Sequence, residues 1–193
     1  MLTSLAEESG QITMPRIVII GTSCAGKSTL ARQLAEKWSI PHIELDALYW
    51  EKNWTPASDE LFRERVSHVV AAEEWVLDGN YSGVRDMVWD RAEMIIWLDY
   101  SLPVLLSRAV QRTVRRSLLG EECCNGNRES LRRAFSRDSI LLWVLTTYQR
   151  RRREFHELLP EMSRSGRQVI VLRSPSETQC WLSQVRSPNG LRL

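Results

Sequence analysis

A nine-residue segment near the amino end of the chain fits the phosphate-binding pattern G-x-x-x-x-G-K-[ST]. It reads Gly21, Thr22, Ser23, Cys24, Ala25, Gly26, Lys27, Ser28 and Thr29. In such a loop the backbone N–H groups surround an anion, the lysine reaches the β- and γ-phosphates, and the next hydroxyl binds Mg²⁺. Ala25 stands where a second glycine is frequent, and it is tolerated if its φ stays negative. The segment predicts binding of ATP through all nine residues, with Lys27 catalytic and Ser28 as a Mg²⁺ ligand.

A second candidate is an aspartate that ends an apolar segment. Asp78 follows the apolar residues 75–77 and precedes Gly79. Asp-Gly is a common turn dipeptide, but with the phosphate-binding pattern upstream we interpret Asp78 as a catalytic carboxylate. At this position a P-loop protein places the acid that organises Mg²⁺ and its water.

Asp46 is the third candidate, near the end of a predicted strand over residues 42–46. Strand periodicity would place Glu44 and Asp46 on one face, and ligands of open α/β sheets bind outside the carboxyl ends of the strands. Asp46 is therefore either a catalytic group that orients or deprotonates an acceptor hydroxyl, or a turn residue at the strand end.

Aromatic and basic residues near these aspartates are candidates for binding an acceptor. Trp50 lies between Tyr49 and Trp54, and these rings either stack on an acceptor or pack in the interior. Tyr81 and Arg85 follow Asp78 closely along the chain. We predict an acceptor site formed by Asp46, Trp50, Tyr81 and Arg85.

The elements that must position these residues alternate between strand and helix. Apolar runs predict strands at residues 16–20, 42–46, 75–78, 94–99 and 168–172. Amphipathic periodicity predicts helices at residues 27–38, 59–72, 103–118, 138–162 and 176–185. This alternation predicts an α/β fold with a parallel sheet. We expect one domain over residues 15–186, with a flexible N-terminal tail at 1–14 and a C-terminal tail at 187–193.

Arginines are concentrated in the second half of the chain. The net charge is only +2, yet twelve arginines lie between Arg108 and Arg153. Arg108, Arg112, Arg115 and Arg116 form one stripe of a predicted helix without acidic neighbours, which calls for an anionic partner. With Arg128, Arg132, Arg133 and Arg137 they predict a lid over about residues 112–137 that closes on phosphates, with Arg112 and Arg116 catalytic. The run Arg150–Arg153 we interpret as a solvated helix end.

Composition excludes several other classes of protein. The chain has 193 residues, 43% of them hydrophobic and 26% charged, which is typical of a soluble globular protein. The four cysteines lack zinc-ligand spacing, so we expect reduced thiols. Neither a signal peptide nor a membrane-spanning run is visible. These features predict a cytoplasmic protein that does not bind membranes, and they do not address its oligomeric state.

From Arg16 to Val185 the sequence resembles the small-molecule and nucleoside monophosphate kinase branch of P-loop proteins, in particular the adenylate-kinase-related group of DNA topology modulation proteins. The resemblance rests on the segments GTSCAGKST, IELDALYW, VLDGNYSGVRD, IIWLDYSLP, RAVQRTVRR and NGNRES. It implies a sheet ordered 2-3-1-4-5 and a mobile lid, to which Arg112 and Arg116 would belong.

The same resemblance has consequences for single residues. Glu44-Leu45-Asp46 is similar to the acidic pair of shikimate kinase, where one acid contacts the acceptor. Asp78-Gly79 is similar to the Asp-Gly of adenylate kinases, but Asn80-Tyr81-Ser82 follows it here instead of Phe-Pro-Arg, which counts against AMP as the acceptor.

We therefore predict an ATP- and Mg²⁺-dependent phosphotransferase, adenylate-kinase-like, that acts on a small-molecule or nucleotide acceptor. The alternative is a nucleic-acid-associated ATPase, which the arginines and the resemblance both permit, although no nucleic-acid-reading module is visible. A GTPase is unsupported because the sequence has no Asn-Lys-x-Asp motif.

Overall fold

Strands and helices alternate in the computed structural model, which describes residues 15–119, 124–127 and 139–186, with the backbone alone for 117–119. The elements are, in order, β1 (Arg16–Gly21), α1 (Lys27–Trp38), β2 (His42–Glu44), α2 (Leu45–Tyr49), α3 (Asp59–Val70), β3 (Trp75–Asp78), α4 (Arg85–Arg91), β4 (Met94–Leu98), α5 (Leu102–Leu119), α6 (Ile140–Arg164), β5 (Gln168–Leu172) and α7 (Pro175–Gln184). Short 3₁₀ turns lie at Lys52–Trp54, Ser82–Val84 and Cys124–Gly126.

The strands form one parallel sheet in the order β2-β3-β1-β4-β5, so the predicted fold class and strand order are confirmed. The central strand β1 pairs with β3 on one side and with β4 on the other. The central strands are buried on both faces, which explains why they read as continuous apolar runs rather than as alternating ones.

Each face of the sheet has its own hydrophobic core. Ile17 and Ile19 pack with residues of α1, α5 and α7 on one face, whereas Val18 and Ile20 pack with α3 and α4 on the other. Alternate residues of a strand point to opposite faces, so β1 contributes to both cores. The long helix α6 contributes to both as well, with Val144 in the first core and residues further along in the second.

One predicted strand was wrong in a way that matters for the site. Residues 42–46 do not form a single strand: β2 ends at Glu44, and Asp46 lies in the first turn of α2. Glu44 and Asp46 therefore do not share a strand face. The buried Leu45 packs against Gly79, where an added Cβ would lie 2.7 Å from the Leu45 Cβ, and the chain turns into the helix at this close approach.

The remaining predicted bounds agree within one or two residues. β4 ends at Leu98 rather than at residue 99, and α6 continues to Arg164. Since α6 runs from Ile140 to Arg164, Arg150–Arg153 lies in the middle of a helix, and its interpretation as a helix end was wrong. None of the helices in the described part of the chain is long and apolar enough to span a membrane.

Candidate active site

The phosphate-binding loop joins β1 to α1, and two glycines set its path. Gly21 has φ +148°, and a Cβ there would lie 2.8 Å from the carbonyl oxygen of Leu98, so a larger residue does not fit. Gly26 has φ +95° and immediately precedes α1. Ala25 is buried with a negative φ, as predicted, and its N–H donates to the Thr22 carbonyl at 3.1 Å. The amino end of α1 therefore opens toward the loop and can bind an anion.

Lys27 and Ser28, the first residues of α1, point toward carboxylates of neighbouring elements. The Lys27 ammonium donates to the Thr22 carbonyl at 3.4 Å. Burial lowers the pKa of Lys27, and the charges of Asp78 and Asp46 partly offset that effect. Both aspartates thus act on the same ammonium group, although they lie on β3 and α2.

The Ser28 hydroxyl donates to Oδ1 of Asp78 at 2.9 Å, and Asp78 is almost fully buried. A hydroxyl and a carboxylate oxygen this close are the hard oxygen ligands that Mg²⁺ prefers. The pair therefore fits the Mg²⁺ that a P-loop kinase fold implies, and the structure brings these two predicted ligands together.

His42, which the sequence did not single out, contacts the second oxygen of the same carboxylate. Its Nε2 lies 2.8 Å from Oδ2 of Asp78. Glu44 completes a group whose ligand atoms all lie within 4.8 Å of one another. The sequence could have indicated this group, because His42 and Glu44 are two residues apart in a predicted strand and therefore share one face of it.

Asn80 is a second residue that the sequence analysis missed, and it ties β3 to the phosphate-binding loop. Its Oδ1 accepts from the Gly21 N–H at 3.2 Å, and its side-chain amide donates to the Gly21 carbonyl. The first glycine of the loop is therefore held in place from the segment that follows Asp78.

The predicted acceptor residues Asp46 and Tyr81 are brought together. The Tyr81 hydroxyl donates to Oδ1 of Asp46 at 2.6 Å. Burial, reinforced by the charge of Asp46, raises the pKa of Tyr81, so the phenol stays protonated and remains a donor. Tyr81 also packs against Tyr49 and Phe62, with ring centroids 4.7 and 5.1 Å away.

Trp50 was predicted to stack on an acceptor or to pack, and the structure shows packing. Its ring meets Tyr49 and Trp54 edge-on, with centroids 5.0 and 5.7 Å apart. Arg85, also predicted in this site, forms an ion pair with Glu154 of α6 at 2.6 Å and lies over the ring of Trp89. Arg85 lines a small cavity together with Tyr81, and the Trp50 N–H donates to the Asp46 carbonyl at 3.0 Å, so both residues lie near the pair but already have partners within the protein.

Arg151 lies at the same cleft, contrary to its assignment to a solvated helix end. Its guanidinium is 3.5 Å from the Asn80 carbonyl and stacks on Trp143 with 5.9 Å to the ring centroid. Burial lowers the pKa of Arg151, the charge of Glu154 partly offsets that effect, and the neighbouring Arg150 and Arg85 lower the pKa further. The charge of Arg151 also lowers the pKa of Lys27.

The adjacent Arg152 has a separate role. It forms two hydrogen bonds, at 2.8 and 3.1 Å, with the buried carboxylate of Asp99. Asp99 follows β4 directly, and this ion pair ties α6 to the end of that strand.

The arginine stripe of α5 begins at the phosphate-binding loop. Arg108 donates to the Ala25 carbonyl at 2.8 Å and stacks on Tyr100. Arg112 and Arg116 are half-buried and follow one and two turns further along α5. Of the predicted lid, residues 120–123 and 128–138 lie outside the described residues, and with them Arg128, Arg132, Arg133 and Arg137.

The one described segment of the predicted lid beyond α5, residues 124–127, packs against the chain that follows α2. Asn125 donates to the carbonyls of Ala47 and Trp50, at 2.8 and 2.6 Å. The buried Asn127 accepts from the Trp54 N–H at 2.7 Å and donates to the Glu51 carbonyl at 2.8 Å. We call Asn125 and Asn127 the asparagine clasp. The clasp holds the segment Ala47–Trp54, which follows Asp46 in the chain.

The sequence matches AAA_28, a family described as an AAA domain, over residues 16–178. The chain belongs to this AAA domain family. No curated protein matches it.

Among solved structures, the AAA domain is similar to shikimate kinase from Bacteroides thetaiotaomicron, with a TM-score of 0.54, 16% identity, and coverage of 89% of this chain and 96% of that one. It is also similar to a gluconokinase from Sinorhizobium meliloti 1021, with a TM-score of 0.51, 21% identity, and coverage of 89% and 93%.

Sequence identities of 16% and 21% show a similarity of fold alone, and this fold is that of P-loop kinases. In this AAA domain the phosphate-binding loop could be predicted from the sequence, whereas His42, Asn80, Arg151 and the asparagine clasp were not recognised as part of the site.

Proposed function

We propose that this AAA domain protein is an ATP-dependent phosphotransferase that moves the γ-phosphoryl group of ATP to a small-molecule or nucleotide acceptor. The observation that carries the proposal is the convergence of three features at one edge of the sheet. These are the Lys27 ammonium, the Ser28–Asp78 pair and Asp46, and both aspartates act on the pKa of Lys27. A nucleotide-binding loop beside a second carboxylate is the arrangement that positions an acceptor against the γ-phosphate.

On the nucleotide side, the backbone N–H groups from Gly21 to Thr29 and the Lys27 ammonium would bind the phosphates. Ser28 and Asp78 would hold Mg²⁺, which neutralises charge on the β- and γ-phosphates when bound. Arg112 and Arg116 would close over the phosphates as part of a lid at residues 112–137 and exclude water from the transfer.

On the acceptor side, Tyr81 occupies Oδ1 of Asp46 and leaves Oδ2 for an acceptor hydroxyl. In the transfer step, the acceptor oxygen forms a bond to the γ-phosphorus while the bond from that phosphorus to the β–γ bridging oxygen breaks. The hydroxyl proton goes to Asp46, and ADP leaves with the electron pair of the broken bond.

Arg151 and Arg85 support an acceptor that carries an anionic group. Their guanidinium groups lie near enough for Arg85 to lower the pKa of Arg151, and Glu154 forms an ion pair with Arg85. An anion placed beside Arg151 would relieve the repulsion between these cations. Trp50 would form a wall of this site through its packed ring cluster.

The alternative function is a nucleic-acid-associated ATPase, in line with the resemblance to DNA topology modulation proteins. Its support is the arginine-rich second half of the chain. Against it, Arg85, Arg108 and Arg152 are each engaged within the protein, so they offer less charge to a phosphate backbone than the sequence implies.

The test is a coupled assay of ADP release with ATP and Mg²⁺ across nucleoside monophosphates, nucleosides, small alcohols, and the shikimate and gluconate for which the two structural neighbours are named. We expect one acceptor class to raise the rate at least about ten-fold over the acceptor-free rate, and Lys27→Ala to abolish that gain. Release that responds only to DNA, with a steep salt dependence, would replace the proposal with the alternative.

A further inference from the structure

The neighbourhood of Asp78 contains more ligand groups than Mg²⁺ binding in a P-loop kinase needs. In the register of the sheet, Glu44 of β2 lies beside Asp78 of β3, and His42 lies two residues earlier on the same face. The side chains of His42 and Asp78 are largely buried, with 14% and 7% exposed, so they are held in place by the core. Glu44 is half-exposed and lies 3.9 Å from Arg32 of α1.

The spacing of these atoms suits a metal ion. An ion with bonds of about 2.1 Å in octahedral geometry places adjacent ligands about 3.0 Å apart and opposite ligands about 4.2 Å apart. The His42 Nε2 and Asp78 Oδ2 are 2.8 Å apart, close to the adjacent spacing. All three ligand atoms lie within 4.8 Å of one another, so rotation of the half-exposed Glu44 side chain has at most about 1.8 Å to close to reach the adjacent spacing.

The ligand types decide which metal is favoured. Mg²⁺ takes oxygen ligands and keeps much of its water, whereas an imidazole nitrogen binds divalent ions of the first transition series much better. A site built from oxygens alone would need only Ser28, Asp78 and Glu44. A largely buried imidazole facing the same carboxylate is therefore the distinctive feature.

We propose that His42 is a nitrogen ligand of the divalent cation at Asp78, together with Glu44, so that this site binds a first-row transition metal ion as well as Mg²⁺. The inference rests on the proposed function, because Asp78 is the same carboxylate that holds the cation for phosphoryl transfer. It adds the chemical class of the metal and one ligand that the nucleotide loop does not predict.

The experiment titrates the full-length, nucleotide-free protein with Mn²⁺ and follows it by electron paramagnetic resonance. The sequence has only three histidines, and His68 is exposed, so His68→Gln is a matched control. We expect wild type and His68→Gln to bind Mn²⁺ equally. His42→Gln should bind Mn²⁺ about ten-fold or more weakly, with affinity for Mg²⁺ changed less than about two-fold.

Pulsed spectra of the bound Mn²⁺ identify the ligand directly. Wild type should show coupling to a ¹⁴N nucleus that is lost in His42→Gln and kept in His68→Gln and His156→Gln. Absence of nitrogen coupling in wild type overturns the proposal. Equal loss of Mn²⁺ and Mg²⁺ affinity in His42→Gln also overturns it, since His42 then only orients the Asp78 carboxylate.

Two further measurements distinguish a loss of metal binding from a loss of the fold in the His42 variants. The thermal unfolding and ATP binding of His42→Gln and of a second variant, His42→Asn, show whether the fold is kept. If Mn²⁺ binds through nitrogen but no acceptor stimulates ADP release, the proposed function fails and the metal assignment stands. If acceptors stimulate ADP release with Mg²⁺ while the nitrogen coupling is absent, the proposed function stands and the metal assignment fails.

Discussion

The proposed nucleotide side and the proposed acceptor side of the cleft are built in different ways. The nucleotide side comes from one continuous stretch, Gly21 to Thr29, with Asp78 beside it, and its geometry depends on backbone conformation at Gly21 and Gly26. The acceptor side draws on α2, the segment after β3, and α6, and its geometry depends on side-chain contacts such as Tyr81 with Asp46.

This difference predicts which changes each side tolerates. On the nucleotide side a substitution removes a group that every P-loop kinase needs, so it should affect turnover with any acceptor. On the acceptor side the rigid fold positions the groups, and a substitution should change acceptor use while ATP binding stays the same.

The largest effect is expected from Lys27→Ala. Loss of the ammonium removes phosphate binding and the stabilisation of charge on the transferring group, so kcat/KM should fall by about 10³-fold or more. Steady-state kinetics with the acceptor found in the screen measures this, and thermal unfolding checks the fold. Wild-type turnover in a folded Lys27→Ala variant would contradict the assignment of the nucleotide side.

Asp46→Asn tests the acceptor side in the same assay. It keeps the volume and the contact with Tyr81 but removes the base, so kcat should fall by about 10²-fold while the Kd for ATP measured by calorimetry stays the same. Tyr81→Phe, which removes only the 2.6 Å hydrogen bond, should cost less than Asp46→Asn. A change in ATP affinity as large as the change in kcat would show that Asp46 serves the nucleotide and not the acceptor.

The same contrast explains what the sequence could predict. The loop from Gly21 to Thr29 was predictable because its function needs consecutive residues, and the strand order followed from alternating elements and the resemblance. Asp46 was predicted as a candidate but placed on the wrong element, because α2 has only five residues and too few turns to show helical periodicity.

Arg151 could not be distinguished from its neighbours in the sequence. Four consecutive arginines are identical in type, and successive helical residues differ in direction by about 100°. Only the way α6 crosses the sheet turns Arg151 to the cleft, Arg152 to Asp99, and Arg150 and Arg153 to solvent. The asparagine clasp was missed because it joins segments more than seventy residues apart.

The asparagine clasp provides a third and smaller test of the acceptor side. Asn127→Ala removes the hydrogen bonds that the buried Asn127 makes with the Trp54 N–H and the Glu51 carbonyl, so the free energy of unfolding should fall by about 2 kcal/mol. The acceptor KM should rise several-fold and the ATP Kd should not change. Asn125 is exposed and has φ +54°, so Asn125→Gly removes its side chain without straining the backbone and should cost less than about 1 kcal/mol. Denaturant unfolding of both variants measures the difference, and equal costs would contradict this account.

The smallest effect concerns pH on the nucleotide side. Burial lowers the pKa of Lys27 in the free protein, and bound phosphates favour the charged ammonium and raise that pKa again. ATP binding therefore takes up a proton at alkaline pH, and affinity should fall as the pH rises through the lowered pKa. Calorimetry between about pH 7 and about pH 10 measures this dependence. Lys27→Arg should flatten it, because the guanidinium stays charged. An unchanged profile in that variant would assign the dependence to another group.

The fate of the γ-phosphoryl group tests the central claim most directly. Wild-type protein would be incubated with γ-labelled ATP, Mg²⁺ and the acceptor found in the screen, and the products separated. The account predicts that the label moves to the acceptor in step with ADP formation, and that Asp46→Asn suppresses this transfer while ATP still binds. Label found only as inorganic phosphate, with or without DNA, would contradict it.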